Sequence, residues 1–142
     1  MSLNFKISEL IYSYTAIKKN INNMPDINSL DNMLELIVYC LQPIRELIKK
    51  PMIITSGYRC SELNKLVKGS STSGHLKGRC ADFCCSGLTP QQIIQLIKNS
   101  NIPYTQLIEE YSNNTSWVHV DYDKKNLKRE TLIYKNGRYY KG

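Results

Sequence analysis

Two histidines and one aspartate have the types and the setting that a metal site requires. His75 ends a loop rich in glycine, serine and threonine, and Asp82 follows seven residues later inside the apolar run CADFC. His119, the only other histidine, lies in the apolar run WVHV at 117–120. A carboxylate inside an apolar strand is costly to bury unless a cation or hydrogen-bond donors compensate it. Two imidazoles and a carboxylate leave a fourth position open, which is the ligand arrangement of catalytic zinc.

The cysteines allow a second, weaker hypothesis. Five are present: Cys40, Cys60, Cys80, Cys84 and Cys85. An odd number argues against a disulfide framework. The last four could instead form a structural zinc site with His75, but their spacing matches no established zinc module. We therefore interpret the cysteines as small apolar residues of the interior.

The spacing of apolar residues predicts helices in the first half of the chain. Apolar residues recur at helical intervals over 7–19 and over 30–48, and Pro43 interrupts the second stretch. Two further helices are predicted at 61–67 and at 90–99, the latter with Thr at its N-cap and Pro at its first position.

The second half changes to strand-like patterns and sets the fold class. Strands are predicted at 52–55, 79–84, 105–110, 117–122 and 131–134. Asn136-Gly137 predicts a hairpin turn into a last strand at 138–141. Because helices come first and an antiparallel meander last, we expect an α+β fold with N-terminal helices packed on a small antiparallel sheet.

Length and charge limit the classes of function. The 142 residues fit one domain, 1–142, which we expect to be monomeric. No stretch approaches the roughly 18 apolar residues of a membrane span. The net charge of +7 is spread over the chain without a nucleic-acid-binding motif, so we predict no nucleic-acid partner. The N-terminal residues lack a signal-peptide pattern, and we expect synthesis in the cytoplasm without a secretion signal.

Five short runs, in order along the chain, carry a family resemblance. They are ITSGYR at 54–59, LN at 63–64, S-x-H-x2-G-x3-D at 73–82, QLI-x-E at 106–110 and WVHV at 117–120. This series resembles the zinc D-Ala-D-Ala carboxypeptidases. It is most similar to their single-domain phage and prophage branch, which has the hedgehog/DD-peptidase fold and includes endolysins. One departure is Cys80, where the family usually has alanine.

The resemblance implies a role for each of these residues. His75, Asp82 and His119 would bind one Zn²⁺ ion. Glu110 would act as the general base, and Arg59 would stabilise developing negative charge. A role in binding the substrate or in supporting the site would fall to Tyr58, Ser73, Gln106 and Trp117.

The assignment of the base leaves one alternative open. Glu109 and Glu110 are adjacent, and neighbouring side chains of a strand point to opposite faces. Periodicity does not decide between them, because an apolar residue precedes each by two positions. The family pattern QLI-x-E favours Glu110.

The resemblance also implies a substrate, the stem peptides of peptidoglycan. Both carboxypeptidase and endopeptidase action on them are open. Lacking a signal peptide, such an enzyme would reach the cell wall after release during phage or prophage lysis, or as part of a virion. The alternative is a non-catalytic metal-binding or virion structural module on the same fold. A complete ligand set with a base favours the enzyme.

Overall fold

The computed structural model describes residues 3–142, in which helices cover one face of a six-stranded sheet. The helices are α1 (Ile7–Ile11), α2 (Tyr14–Lys18), α3 (Ile27–Leu36), α4 (Gln42–Ile48), α5 (Ser61–Leu66) and α6 (Pro90–Lys98). The strands are β1 (Ile53–Ser56), β2 (Cys80–Cys84), β3 (Gln106–Ser112), β4 (Thr115–Asp121), β5 (Glu130–Lys135) and β6 (Arg138–Lys141). The α+β class predicted from the sequence is confirmed. Within the described residues, no helix is both long and apolar enough to cross a bilayer.

Short polar side chains begin several helices by accepting backbone hydrogen bonds. The Ser13 hydroxyl accepts from the Ala16 amide at 3.1 Å and starts α2, so the single helix predicted over 7–19 is in fact two helices. The Asp26 carboxylate accepts from the Ser29 amide at 2.7 Å and starts α3. Such caps satisfy amide groups that have no partner within the first turn of a helix.

The long amphipathic helix predicted over 30–48 is formed by α3 and α4, joined by a π turn at Ile37–Leu41. The π turn lies directly before Pro43, whose ring nitrogen cannot donate the usual helical hydrogen bond. The helix continues past Pro43, and the apolar residues before and after the π turn face the core on the same side of the helix. This apolar stripe comprises Met33, Leu36, Ile37, Cys40, Leu41 and Ile44, all essentially inaccessible to solvent.

The sheet has the strand order β1-β2-β4-β3-β5-β6. All neighbouring strands are antiparallel except β3 and β5, which are parallel. Because side chains alternate along a strand, every second residue of the central strands points into the core. These inward residues are Ala81, Phe83, Leu107, Val118 and Val120. The residues between them point to the opposite face, which carries the candidate site.

The antiparallel meander expected for the last strands is wrong in one respect. After β4 the chain runs past the start of β3. It then forms β5 on the side of β3 that is opposite β4, and β5 is parallel to β3. Arg129 anchors this connection: its guanidinium donates to the carbonyls of Ile97 (3.2 Å), Ser100 (3.0 Å) and Ile102 (3.2 Å). The same group lies 4.7 Å from the centre of the Tyr104 ring. These contacts join residues distant in sequence, so local patterning does not indicate them.

The core predicts the effect of one pair of substitutions. Ile44 is 0% exposed between the helices and the sheet, whereas Ile53 on the edge strand β1 is 56% exposed. We expect Ile44→Ala to lower the free energy of unfolding by about 2–5 kcal/mol, because it leaves a cavity. Ile53→Ala should change it by no more than about 0.5 kcal/mol. Urea unfolding followed by circular dichroism measures both, and equal losses would contradict this placement of the core.

Candidate metal and catalytic site

The face of the sheet opposite the core carries the candidate site in register across three strands. Asp82 on β2 pairs with His119 on β4, which pairs in turn with Ile108 on β3. Two residues along, Trp117 on β4 pairs with Glu110 on β3. Their side chains share one face and line a cavity of about 600 Å³. This volume falls within the range of small-ligand and cofactor sites.

His75 enters this cavity from a 3₁₀ turn, Gly74–Lys77, which lies outside the sheet. The Ser73 hydroxyl begins the turn by accepting from the His75 amide at 3.2 Å. The ring Nδ1 lies 2.6 Å from the Gly57 carbonyl oxygen. A carbonyl can only accept, so Nδ1 carries a hydrogen, and in the neutral ring Nε2 then presents its lone pair. The Gly57 contact thereby fixes both the tautomer and the direction of the free nitrogen.

The Asp82 carboxylate lies between the two histidines. Its Oδ1 is 3.4 Å from His75 Nε2 and 2.8 Å from His119 Nδ1, and the three side chains are largely buried. Burial alone would raise the pKa of Asp82. When His75 and His119 are protonated, their charge and hydrogen bonds outweigh burial and hold that pKa below its ordinary value. The carboxylate is therefore kept in the charged form that binds cations.

The donors fit a zinc ion. Because Nδ1 of His75 donates to Gly57, its Nε2 lone pair faces an Asp82 carboxylate oxygen at 3.4 Å with no hydrogen of its own between them. Two electron-rich atoms at that distance require a proton or a cation. A site of two imidazole nitrogens and one carboxylate oxygen, with one histidine held through its other nitrogen by a carbonyl, has the ligand and outer-shell chemistry of catalytic zinc.

Glu110, and not Glu109, faces the cavity. The Glu110 carboxylate is 3.7 Å from His119 Nδ1 and accepts a hydrogen bond from Trp117 Nε1 at 2.9 Å. Burial raises the pKa of Glu110, which moves it towards neutral pH. Glu109 lies on the opposite face, where it is buried and accepts a hydrogen bond from the Tyr111 hydroxyl.

Arg59 brings positive charge to the rim of the cavity. It follows β1, and its amide donates to the His75 carbonyl at 3.0 Å. One guanidinium nitrogen donates to the Ser73 hydroxyl at 3.4 Å. Its Nε is buried without a hydrogen-bond partner among residues 3–142. Lys68 lines the same side of the cavity. This wall can bind an anionic group such as a carboxylate.

The remaining predicted residues divide between the cavity and the core. Ser73, Gln106 and Trp117 line the cavity, and Gln106 Nε2 donates to Glu130 at 2.8 Å. The structure does not bring Tyr58 into the cavity. Its side chain belongs to the hydrophobic core.

Among the other residues that line the cavity, Asp121, Tyr134 and Tyr139 carry polar groups that were not predicted from the sequence. Asp121 lies two positions after His119, so strand alternation could have placed it on the same face. Tyr134 lies beside Glu110 through the parallel pairing of β5 with β3. Tyr139 packs against Tyr134 across the β5–β6 hairpin, and the centres of the two rings are 4.7 Å apart. No local signal identifies the two tyrosines, because the parallel pairing itself is not visible in the sequence.

Comparison with known proteins gives one match. A family model described as Peptidase M15 matches residues 3–121, which is most of the chain and includes His75, Asp82, Glu110 and His119. The match ends with β4, so Tyr134 lies outside it. No curated protein matches the chain significantly.

The support of His75 predicts the effect of a substitution outside the cavity. A β-carbon at Gly57 would collide with the backbone of Leu10, so Gly57→Ala must displace the turn whose carbonyl holds His75. We expect a loss of about 1–3 kcal/mol in the free energy of unfolding, measured in urea. Ser86→Ala, at an exposed position, is the control and should stay within about 0.5 kcal/mol. An unchanged Gly57→Ala variant would contradict the close approach.

Proposed function

The chain belongs to the Peptidase M15 family, and on this premise we propose that it is a zinc peptidase whose metal ligands are His75, Asp82 and His119. The observation that carries the proposal is the pairing of Asp82 with two histidines in one largely buried cluster. When bound there, zinc supplies a Lewis acid that polarises the scissile carbonyl and lowers the pKa of a water molecule.

Glu110 is the general base of the proposed reaction. Its carboxylate borders His119 and is oriented by the Trp117 indole, so it stands beside the place where water and substrate must meet. It takes a proton from the attacking water and later passes it to the leaving amine.

Arg59 is the proposed anchor for negative charge. The hydrogen bond to Ser73 and the backbone contact to His75 hold Arg59 at the rim, while its Nε–H has no partner within the part of the chain that the structure describes. A substrate carboxylate, or the oxyanion that develops on the scissile carbonyl, would complete these donors.

The proposed substrate is a stem peptide of peptidoglycan, cleaved at its terminal or at an internal amide bond. Support comes from the resemblance of the motif series, from a cavity of about 600 Å³ that fits a few residues of peptide, and from the net charge of +7. A basic surface is attracted to an anionic cell wall. We propose that the chain acts as a single-domain monomer on the wall after release by lysis or as part of a virion.

The ligand assignment predicts the zinc content of three variants. Wild-type protein should bind one zinc ion per chain, measured by mass spectrometry of the metal after dialysis. His119→Ala should lose it, and Asp82→Asn should bind it more weakly, because each substitution removes one of the proposed zinc ligands. Asp31→Asn replaces an exposed carboxylate away from the cavity and should keep it. A wild-type protein that folds fully yet binds no zinc would refute the proposal.

The assignment of the base predicts a contrast between neighbouring residues. Glu110→Gln should retain zinc and lose about 100-fold or more in kcat, because the amide cannot take up a proton. Glu109→Gln keeps an acceptor oxygen for Tyr111 on the opposite face and should retain most activity. Release of amino groups from purified peptidoglycan measures both. Full activity of Glu110→Gln would exclude it as the base.

A further inference from the structure

Cys80 brings a sulfur atom to the same two histidines from the side away from Glu110. It lies two residues before Asp82 on β2, so both side chains point to one face of the sheet. The thiol is 1% exposed and makes no disulfide. Gly74 leaves the space it fills, since a β-carbon at that position would collide with the sulfur.

The thiol and the two histidines form a compact donor cluster. One ligand atom from each of His75, Cys80 and His119 lies within 4.8 Å of the other two. The carboxylate of Asp121, which pairs with Cys80 across the sheet, borders the same space beside Gly74. In addition, His75 directs an Nε2 lone pair inwards because its Nδ1 donates to Gly57. This cluster therefore offers one soft sulfur donor and two imidazole rings, and His75 Nε2 has the Asp82 carboxylate as a neighbour at 3.4 Å.

We propose that His75, Cys80 and His119 form a second metal site, selective for thiophilic cations such as Cd²⁺, which cannot be filled together with the zinc site. On binding, the metal–sulfur bond forms and the thiol proton leaves to solvent. Thiolate ligands favour soft cations, whereas the Asp82 carboxylate favours harder ones. The inference rests on the donor geometry and does not require the proposed peptidase reaction.

His75 makes the two sites exclusive. Its Nδ1 is committed to the Gly57 carbonyl, so only Nε2 can bind a metal ion, and one nitrogen lone pair binds one ion. His119 belongs to both clusters as well. A cation bound on the Cys80 side therefore removes a ligand from the Asp82 side. The predicted consequence is that Cd²⁺ displaces zinc instead of adding to it.

Titration of the metal-free protein with Cd²⁺ tests the proposal directly. A sulfur-to-cadmium charge-transfer band in the ultraviolet should rise to one equivalent, and ¹¹³Cd NMR should report one sulfur ligand. Cys80→Ser should abolish that band and weaken Cd²⁺ binding by more than the roughly 10–100-fold cost of losing an outer-shell partner. Cys84→Ser, a half-buried cysteine on the same strand, is the matched control and should keep the band.

A second pair of measurements separates the two sites. Asp82→Asn should bind zinc more weakly than the wild type and keep the cadmium–sulfur band, whereas Cys80→Ser should keep zinc. Weaker zinc binding by Asp82→Asn bears on the proposed peptidase centre, and loss of the band from Cys80→Ser bears on the new site. A band that survives Cys80→Ser, or wild-type protein that holds one Cd²⁺ and one Zn²⁺ together, would overturn the proposal.

Discussion

The burial of the Asp82 carboxylate between two histidines is the constraint on which the rest of the site depends. A charged group in the middle of a sheet is tolerated only when neighbouring groups compensate it. The register of β2 against β4 supplies His119 directly opposite, and a separate turn supplies His75. Any slip of one residue between these strands would send Asp82 into the apolar core. The register and the site are therefore fixed by the same packing.

The sequence predicts the parts of the molecule that depend on local chemistry. The helical stripe over 30–48, the strands around Asp82 and His119, and the hairpin at Asn136-Gly137 are present as expected. Each depends on periodicity or on turn residues close together in the chain. Asp82 is also identifiable as a candidate from the sequence alone, because a carboxylate in an apolar strand is costly to bury without a compensating partner. Its proposed role as a ligand stays a prediction.

The features that the sequence could not predict depend on contacts between distant segments. Adjacent Glu109 and Glu110 are equivalent in a strand pattern, and only the pairing of β3 with β4 shows which one shares a face with His119. The parallel neighbour β5 is held in place by Arg129 through carbonyls some thirty residues away. Tyr58 stands in a motif beside Arg59 but packs into the core, whereas Arg59 lines the cavity.

The cavity has two kinds of wall, and they differ in how many amino-acid substitutions they can accept without loss of stability. Asp82 and His119 lie on the central strands, where their neighbours in the chain point to the reverse face and are part of the core. Tyr134 and Tyr139 lie on the two last strands of the sheet, and the second of these strands is exposed along its whole length. A substitution in this hairpin disturbs little packing. The outer wall can thus diversify in sequence at small cost in stability, while the inner wall is held constant by the core behind it.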